Sequence, residues 1–351
     1  MPGTFLGYPF DEEIFNLNWR AAQDPTRTAM IDSGAVQQNS EIARMIANGS
    51  NLYTIPFYNV LGGTDDNYDG TTDMTVTDPT GSSQTGVVYG RMHAWRDKDF
   101  IHDFNSGANP MQQIASQVAK YWNKKRQSRL IGIMNGIFGI TDDETDYWDD
   151  WQLHTMNIAF AASSGTAGDA NNVSEASAAE AVQKAVGDNA GIFGMAIMHS
   201  KIALNLAKQN LLQFRKYTDA AGIERTINIA DWNGYTVIID DGVPVSTNAK
   251  DTASKDYTTY LFGTGAIQMA SAPVEHPSEV DRTVLTAGGY NVLATRLRET
   301  LHPNGFSYTL PAGSGGAVVS SPSDAQLAAS AQWKVVVDPK LIPIARIISN
   351  G

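Results

Sequence analysis

The chain has 351 residues, of which 42% are hydrophobic and 18% charged, a composition typical of a folded protein with a sizeable core. Its 25 basic and 37 acidic residues give a formal net charge of −12, which argues against a dedicated nucleic-acid binder because such proteins place cations against phosphates. The absence of cysteine excludes disulfides, thiolate metal sites and a cysteine nucleophile.

The first 48 residues alternate aromatic and polar positions and contain one short predicted helix. Asn39 or Ser40 would cap this helix, and Gly49 would end it. The N-terminus has neither a positively charged start nor a continuous apolar stretch, so we expect no signal peptide. No segment approaches the ~18 uninterrupted apolar residues of a membrane span. We therefore expect a soluble, non-secreted chain.

A long polar segment from Gly62 to Gly86 separates two strand-like runs, NLYTIPFYNV and TGVVYGRMHAW. It contains five aspartates and neither lysine nor arginine. We predict a hairpin over about 51–97, whose first strand is an edge or an exposed arm because it contains Pro56. A tip this long buries too little surface in a lone domain to offset its chain entropy.

The tip of this hairpin is best interpreted as an arm that lies on a neighbouring copy of the chain. A catalytic lid, an aspartate-rich calcium loop and an ordinary mobile loop are the alternatives. The aspartates lack the ligand register of the helix–loop–helix calcium motif, and no glutamate closes the set. The residues concerned are Asp65, Asp66, Asp69 and Asp73.

The strongest helical pattern runs from Pro110 to about Phe138, where apolar residues recur at three- and four-residue spacings. Such a helix would be ~40 Å long at ~1.5 Å per residue.

The middle of this helix carries a run of five cationic residues. A helix face that is exposed to solvent is the usual explanation of such a run. An anionic partner, such as the aspartate-rich tip of another subunit, is the alternative, because lysines four residues apart repel each other. The cations are Lys120, Lys124, Lys125, Arg126 and Arg129.

The second half of the chain mixes helices and strands without strict alternation, which indicates an α+β fold. We predict a helix over Ser174–Val186 with Ser174 as its cap, a buried strand over 191–200, and a helix that Ser200 caps. Further strands are predicted at RTINIA, GYTVIID, YTTYLFG, AIQMASA, YNVLATRLRETLHPNGFSYT and WKVVVDPKLIPIARII.

Catalytic patterns are weak. The stretch Asp142–Asp150 has six acidic residues beside Tyr147, Trp148 and Trp151, and paired carboxylates beside aromatics occur in glycosidase clefts. Carboxylates adjacent in sequence do not face each other across a substrate, so a solvated turn with aromatic anchors is favoured. The six histidines form no ligand motif, and neither a phosphate loop nor a nucleophile elbow is present. We predict no catalytic, cofactor or metal site and a structural role.

The order of these elements resembles that of the major capsid proteins of tailed double-stranded DNA bacteriophages, which have the Hong Kong 97-like fold. The segments that carry the resemblance are VAKYWNKKRQSRLIGIMNGIF, MAIMHSKIALNLAKQ, LRETLHPNGFSYT and WKVVVDPKLIPIARI. It implies an α+β capsid fold with an N-terminal arm (1–48), an E-loop hairpin (49–98), a P-domain (99–188) with a spine helix at about 110–138, an A-domain (189–284), a return strand to the P-domain (285–312) and a closing segment of the A-domain (313–351).

The resemblance further implies a head protein, and no enzyme, that self-assembles as pentamers and hexamers into an icosahedral shell around packaged DNA. The arm would lie over neighbours and bury aromatic side chains there: Phe5, Tyr8, Phe10, Phe15 and Trp19. About 50 residues precede the hairpin, which leaves no room for a large scaffolding segment, so a separate scaffolding protein is expected. The tip has no lysine, so noncovalent contacts or a cement protein are expected instead of a lysine–asparagine cross-link.

Other implied partners are a portal protein and, without specific binding, the packaged DNA; no membrane and no cofactor are expected. The negative net charge would let DNA slide, because few phosphate counterions are released on contact. The expected location is the virion, after assembly in the host bacterial cytoplasm. An encapsulin-like compartment shell is the alternative function, and a carbohydrate-active enzyme using the acidic cluster at 142–150 is a weaker one.

Overall fold

A computed structural model describes most of the chain, namely residues 4–5, 8–9, 11–21, 30, 33–58, 61–79, 81–98, 111–141, 147–161, 165–218, 224–285, 289–313 and 318–350. The α-helices bounded within these ranges are α1 (Glu12–Ala21), α2 (Ser40–Ala47), α3 (Met111–Phe138), α4 (Trp148–Gln152), α5 (Ser177–Val186), α6 (Ser200–Lys208) and α7 (Asp324–Leu327). Short 3₁₀ helices cover Asp169–Asn171, Gly187–Ile192, Ser330–Gln332 and Pro339–Leu341. No helix in the described ranges is both long and apolar enough to cross a membrane.

The strands of the first half are β1 (Thr4–Phe5), β2 (Tyr8–Pro9), β3 (Val36–Gln38), β4 (Leu52–Tyr58), β5 (Gly81–Val87), β6 (Tyr89–Lys98), β7 (Thr155–Asn157) and β8 (Phe193–Met198). Those that follow are β9 (Leu212–Thr218), β10 (Glu224–Trp232), β11 (Tyr235–Ile239), β12 (Val245–Thr247), β13 (Lys255–Gly263), β14 (Ile267–Ala272), β15 (Ser278–Thr283), β16 (Tyr290–Pro303), β17 (Phe306–Tyr308), β18 (Trp333–Val335) and β19 (Ile344–Asn350).

The larger sheet has eight strands in the order β7-β19-β13-β8-β11-β10-β9, with β12 also paired to β13. The central strand β8 is apolar throughout because both of its faces are covered. Met195 and Ile197 pack with α3, whereas Ala196 and Met198 pack with α5 and α6. This double burial explains why the sequence shows a continuous apolar run instead of an alternating one.

The smaller sheet has five strands in the order β15-β16-β14-β3, with β6 on the long strand β16. The first half of α3 covers it, with Val118 and Trp122 against Leu293 of β16. The second half of α3 enters the main core, where Ile133, Met134 and Ile137 are fully buried. The 28-residue helix therefore spans two packing sites, which is why it is longer than most globular helices.

The predicted hairpin is present, and its strands β4 and β5 form a two-stranded sheet of their own. The second predicted strand is in fact two strands, because β6 leaves the hairpin and pairs with β16 from Tyr89 onwards. The predicted helix at 174–186 begins at Ser177, and the side chain that caps α6 belongs to His199, not Ser200. Pro339 interrupts the predicted final strand with a 3₁₀ turn.

The N-terminal segment contains a helix that the sequence pattern did not predict. The side chain of Asp11 accepts hydrogen bonds from the backbone N–H groups of Glu13 (3.0 Å) and Ile14 (3.1 Å), as an N-cap does. The helix α1 is stabilised by packing Phe15 against α3. Asn39 caps α2 as predicted, and the division into arm, hairpin, P-domain and A-domain stays a prediction.

Candidate assembly interface

The root of the hairpin is held firmly by its own subunit. The ring of Tyr53 is buried, and its hydroxyl lies 3.3 Å from that of Thr300. Burial raises the pKa of Tyr53 to about 12, against the opposing effect of this hydrogen bond. Gln84 is buried too, and its side-chain oxygen accepts from the backbone N–H of Gly305 at 3.3 Å. On the same strand, the N–H of Thr85 donates to the hydroxyl of Ser307 at 3.0 Å.

The tip of the hairpin, residues 61–79, is exposed at every position. It includes large apolar side chains, and Met74 and Val76 are 86% and 85% exposed. Tyr68 is fully exposed as well. Several apolar side chains on one projecting segment are typical of a surface that another molecule covers.

Two of the five tip aspartates shape the loop itself. A carboxylate oxygen of Asp69 accepts from the backbone N–H groups of Thr71 (2.9 Å) and Thr72 (2.8 Å), and these bonds hold the pKa of Asp69 well below its usual range. Asp66 accepts from the backbone N–H and the hydroxyl of Thr75. These bonds close turns of the kind that aspartate commonly makes.

The other three, Asp65, Asp73 and Asp78, are exposed and make no hydrogen bond or ion pair with any described residue; the first two belong to the predicted set. They are therefore the tip carboxylates that are available to another molecule.

The five predicted cations of α3 fall into two groups. Lys120, Lys124 and Lys125 are exposed, and the Lys125 ammonium lies 5.8 Å from the ring centre of Tyr121. Within the described part of the chain, these lysines have no acidic partner. They form the cationic surface that the helix offers to solvent, and we call them the lysine face.

Arg126 and Arg129 instead point inwards. Arg126 Nε lies 2.6 Å from Glu299 Oε2, and Arg129 Nη1 lies 3.3 Å from Glu299 Oε1. Arg129 Nε also donates to Asp324 Oδ1 at 2.8 Å, and its guanidinium lies 4.6 Å from the ring centre of Tyr89. Arg129 is 3% exposed. Both arginines hold their own subunit together, so we restrict the proposed intersubunit contact to the lysine face.

Sequence reasoning did not identify Glu299 or Asp324 as the partners of these arginines. Buried and half-buried positions alternate along the first part of β16, and Glu299 lies further along the strand at another buried position. This alternation is the only signal that could have pointed to a buried carboxylate. Asp324 lies 195 positions from Arg129 and carries no local signal of its own.

The expectation that the aromatic residues of the arm are buried by neighbours is wrong for Phe15. This side chain is fully buried within its own chain, and its ring centre lies 6.2 Å from that of the half-buried Trp19. Phe5 and Tyr8 lie in β1 and β2, which pair with each other, but their side chains are outside the description, as is the whole of Phe10.

The acidic stretch after α3 is described only from residue 147 onwards. Asp149 and Asp150 are exposed in the first turn of α4. Trp151 is buried, stacks on Phe138 with ring centres 5.0 Å apart, and donates its indole N–H to the carbonyl of Ile137 at 3.2 Å. The described end of the stretch thus has the form of a solvated turn with an aromatic anchor.

The described histidines that are buried have structural partners. A ring nitrogen of His154 lies 2.6 Å from the carbonyl oxygen of Ile344, and one of His302 lies 2.8 Å from that of Phe306. Burial lowers the pKa of His302 to about 4, so the ring is neutral at pH 7. His102 lies outside the described residues. Nowhere in the described chain do three or more metal-ligating side chains come together.

Bacteriophage capsid proteins are similar to this chain in sequence and in fold. No family model matches the chain. The major capsid protein of Bacillus phage SPP1 is 28% identical over 324 residues, covering 91% of this chain and 90% of that protein. The capsid of Ralstonia phage GP4 superposes with a TM-score of 0.58 at 8% identity, over 93% of this chain and 91% of its own. The capsid of cyanophage Pam1 covers 80% of this chain and 89% of its own, with 10% identity and a TM-score of 0.48.

The SPP1 similarity extends over nearly the whole of both chains, and the GP4 superposition covers 93% of this chain. The chain is therefore a relative of the major capsid proteins of tailed double-stranded DNA bacteriophages and has their Hong Kong 97-like fold.

Proposed function

We propose that this chain is the head protein of a tailed phage and that it self-assembles, as pentamers and hexamers, into an icosahedral shell around packaged DNA. The observation that carries the proposal is the hairpin, whose root is anchored in the subunit while every residue of its tip at 61–79 is exposed. Such an arm gains stability only when it lies on another molecule. The sequence similarity to the SPP1 capsid protein supports a second copy of the chain as that molecule.

Electron microscopy of the purified protein, alone and with a co-expressed scaffolding protein, tests assembly. We expect closed shells of uniform size, because the hairpin of each subunit would cover its neighbour. Double-stranded DNA inside shells from infected cells would support the phage function, and a protein cargo would point to an encapsulin-like compartment. Subunits that remain monomeric under all of these conditions would contradict the proposal.

The contact that we propose for the tip joins Asp65 and Asp73 of one subunit to the lysine face of another. Changing both aspartates to asparagine should lower shell stability at low salt, with each lost pair contributing ~0.2–1 kcal/mol per subunit. The difference should disappear near 1 M salt, where the Debye length falls to ~3 Å. Shell dissociation in denaturant, followed by light scattering across a salt series, measures this effect.

A matched control is the pair Asp149→Asn and Asp150→Asn, which removes the same charge from exposed positions on α4. This variant should leave shell stability unchanged. A combined variant reverses the charges on both sides of the contact: Asp65→Lys and Asp73→Lys on the tip, with Lys120→Glu and Lys124→Glu on the lysine face. It should regain the shell stability that is lost when only one side is reversed. No rescue by the combined variant would show that the tip aspartates contact another surface.

We place the protein in the virion after assembly in the host cytoplasm. A portal protein, a separate scaffolding protein and a cement protein are its proposed partners. The charge balance of −12 supports a shell that lies beside DNA without binding it tightly.

A further inference from the structure

A groove opens where the long strand β16 passes from one neighbouring strand to the next. Ser278 of β15 lies opposite Thr295, and Ala272 of β14 lies opposite Arg298. The link 273–277 joins β14 to β15 and begins and ends with proline, which has no backbone N–H to continue a ladder. The groove has a volume of about 280 Å³ and lies between this link, β16, the spine helix α3 and the end of α1.

The walls of the groove carry more positive than negative charge. Three arginines line it, namely Arg126 of α3 with Arg296 and Arg298 of β16. Glu299 is the one acidic residue among the described lining residues. Both of its oxygens are already engaged, Oε2 by Arg126 Nε at 2.6 Å and Oε1 by Arg129 Nη1 at 3.3 Å.

This positive charge is not fully neutralised behind the walls. Arg298 has no carboxylate partner in the described part of the chain, because its guanidinium donates to the carbonyl oxygens of Ile46 and Ser50. The ion-pair network next to it holds three arginines and only two carboxylates: Arg91, Arg126, Arg129, Glu299 and Asp324. An anionic ligand would therefore be favoured in this groove.

Several hydrogen-bond donors of the lining have no acceptor among the described residues. Arg126 donates through Nε to Glu299 and through Nη1 to the side-chain oxygen of Asn123 at 2.8 Å, which leaves its Nη2 free. The side-chain nitrogen of Asn123 is free in the same sense. Arg296 donates through Nη1 alone, so its Nε and Nη2 remain. A carboxylate accepts several such bonds at once, and bonds between charged groups are the strong ones.

The apolar part of the lining indicates what kind of molecule carries the carboxylate. It includes Trp19, Val274, Leu297 and the prolines at 273 and 277. A nucleic-acid backbone is hydrophilic along its length and gains nothing from such walls, and the net charge of −12 opposes its approach. An acidic peptide offers carboxylates and apolar side chains together, and arginine clusters commonly recognise acidic segments.

We infer that this groove binds an acidic segment of a partner protein other than this chain. Its carboxylates lie against Arg126, Arg296 and Asn123, and its apolar side chains lie against Trp19 and the link 273–277. The volume is near the lower end of the ~300–1,000 Å³ of ligand sites, so it suits a few side chains of an extended segment. The inference goes beyond the proposed function, because it concerns a second protein and needs no shell.

Fluorescence anisotropy of labelled synthetic peptides tests this binding directly. The probes are Gly-Leu-Glu-Leu-Glu-Gly and its neutral counterpart Gly-Leu-Gln-Leu-Gln-Gly, each with an uncharged fluorophore. The full chain is kept at low salt, where charges are weakly screened, and below the concentration at which shells form. We expect the glutamate peptide to bind roughly tenfold or more tightly than the glutamine peptide, the effect of losing a charge-assisted contact.

Two variants change the charge of the groove and keep its shape. Arg296→Gln removes a cation whose side chain is 39% exposed, and Asn123→Asp adds a carboxylate while keeping an oxygen for Arg126 Nη1. Each should weaken binding of the glutamate peptide roughly tenfold. Arg44→Gln is the matched control, because Arg44 is exposed on α2 and does not line the groove. Denaturant midpoints equal to that of the unaltered chain would show that the variants fold.

Equal binding of the two peptides, no binding of either, or binding that neither variant weakens would overturn the inference. A short DNA duplex that displaces the peptide and itself binds Arg296→Gln less tightly would assign the groove to phosphate and also overturn it. A peptide of tip residues 64–79, whose proposed contact is the lysine face, should bind Arg296→Gln and the unaltered chain alike. Weaker binding of the tip peptide to this variant would give the groove to a second copy of the chain, against the inference. Because no readout needs shells, failure to assemble counts against the proposed function alone.

Discussion

A subunit whose residues 59–80 are replaced by the dipeptide Asn-Gly is expected to fold normally and to form no shells. Tyr58 lies opposite Gly81 at the end of the β4–β5 ladder, so a two-residue turn closes the hairpin in its existing register. Asn-Gly suits the turn type that joins two twisted antiparallel strands. The described part of the removed segment is exposed throughout, so its loss removes little buried surface.

Two measurements check this expectation. The denaturant midpoint of the unassembled subunit should match that of the unaltered chain, and electron microscopy should show no closed shells. A second variant keeps the length of the tip but replaces Tyr68, Met74 and Val76 with serine. It shows whether assembly needs the apolar side chains of the tip or only its length. Normal shells from the shortened subunit would show that the hairpin tip is not an assembly arm.

Arg129→Met should destabilise the subunit by about 3–5 kcal/mol, the usual cost of removing one partner of a buried ion pair. The change leaves Glu299, which is 2% exposed, with Arg126 as its only charged partner among the described residues, and it removes the buried contact of Asp324. Methionine retains much of the volume of the arginine stem, so the change creates no large cavity. The lost free energy of unfolding therefore reflects the missing charge and hydrogen bonds. Denaturant unfolding of the unassembled subunit measures it.

Lys124→Met on the same helix is the matched control, because this side chain is exposed and its loss should change stability by only about 0.5 kcal/mol or less. The double variant Arg129→Met with Glu299→Leu should be less destabilised than the sum of its single variants, since it leaves no uncompensated buried carboxylate. A cost for Arg129→Met as small as that of the lysine control would mean that water reaches this network.

Local patterns in the sequence were sufficient for the long helix and for the hairpin. Apolar residues of α3 recur with the helical period, and the polar run after Tyr58 has no apolar pattern that a fold could bury. The helix α1 was not predicted, because Phe15 stabilises it by contact with α3, about 100 residues later in the chain. Helix propensity summed over ten residues is too weak a signal to predict a helix whose formation depends on packing against a distant segment.

The five cations of α3 show where sequence reasoning ends. They occupy a single stretch of helix, yet two of them lie within the subunit and three lie on its surface. The acidic partners of Arg129 are 170 and 195 positions away, so no local spacing could have separated the two groups.

The sequence by itself determined that this chain has a long polar hairpin tip, a long helix and an α+β fold, because those properties follow from periodicity and composition, and the resemblance of its segments to those of phage capsid proteins indicated the capsid fold. Only the tertiary structure decided which charges remain available to a neighbour. Whether a charged side chain is exposed or neutralised depends on residues that folding brings within a few ångströms of it, and folding here sets Glu299 and Asp324 against the arginines and leaves the lysine face in water.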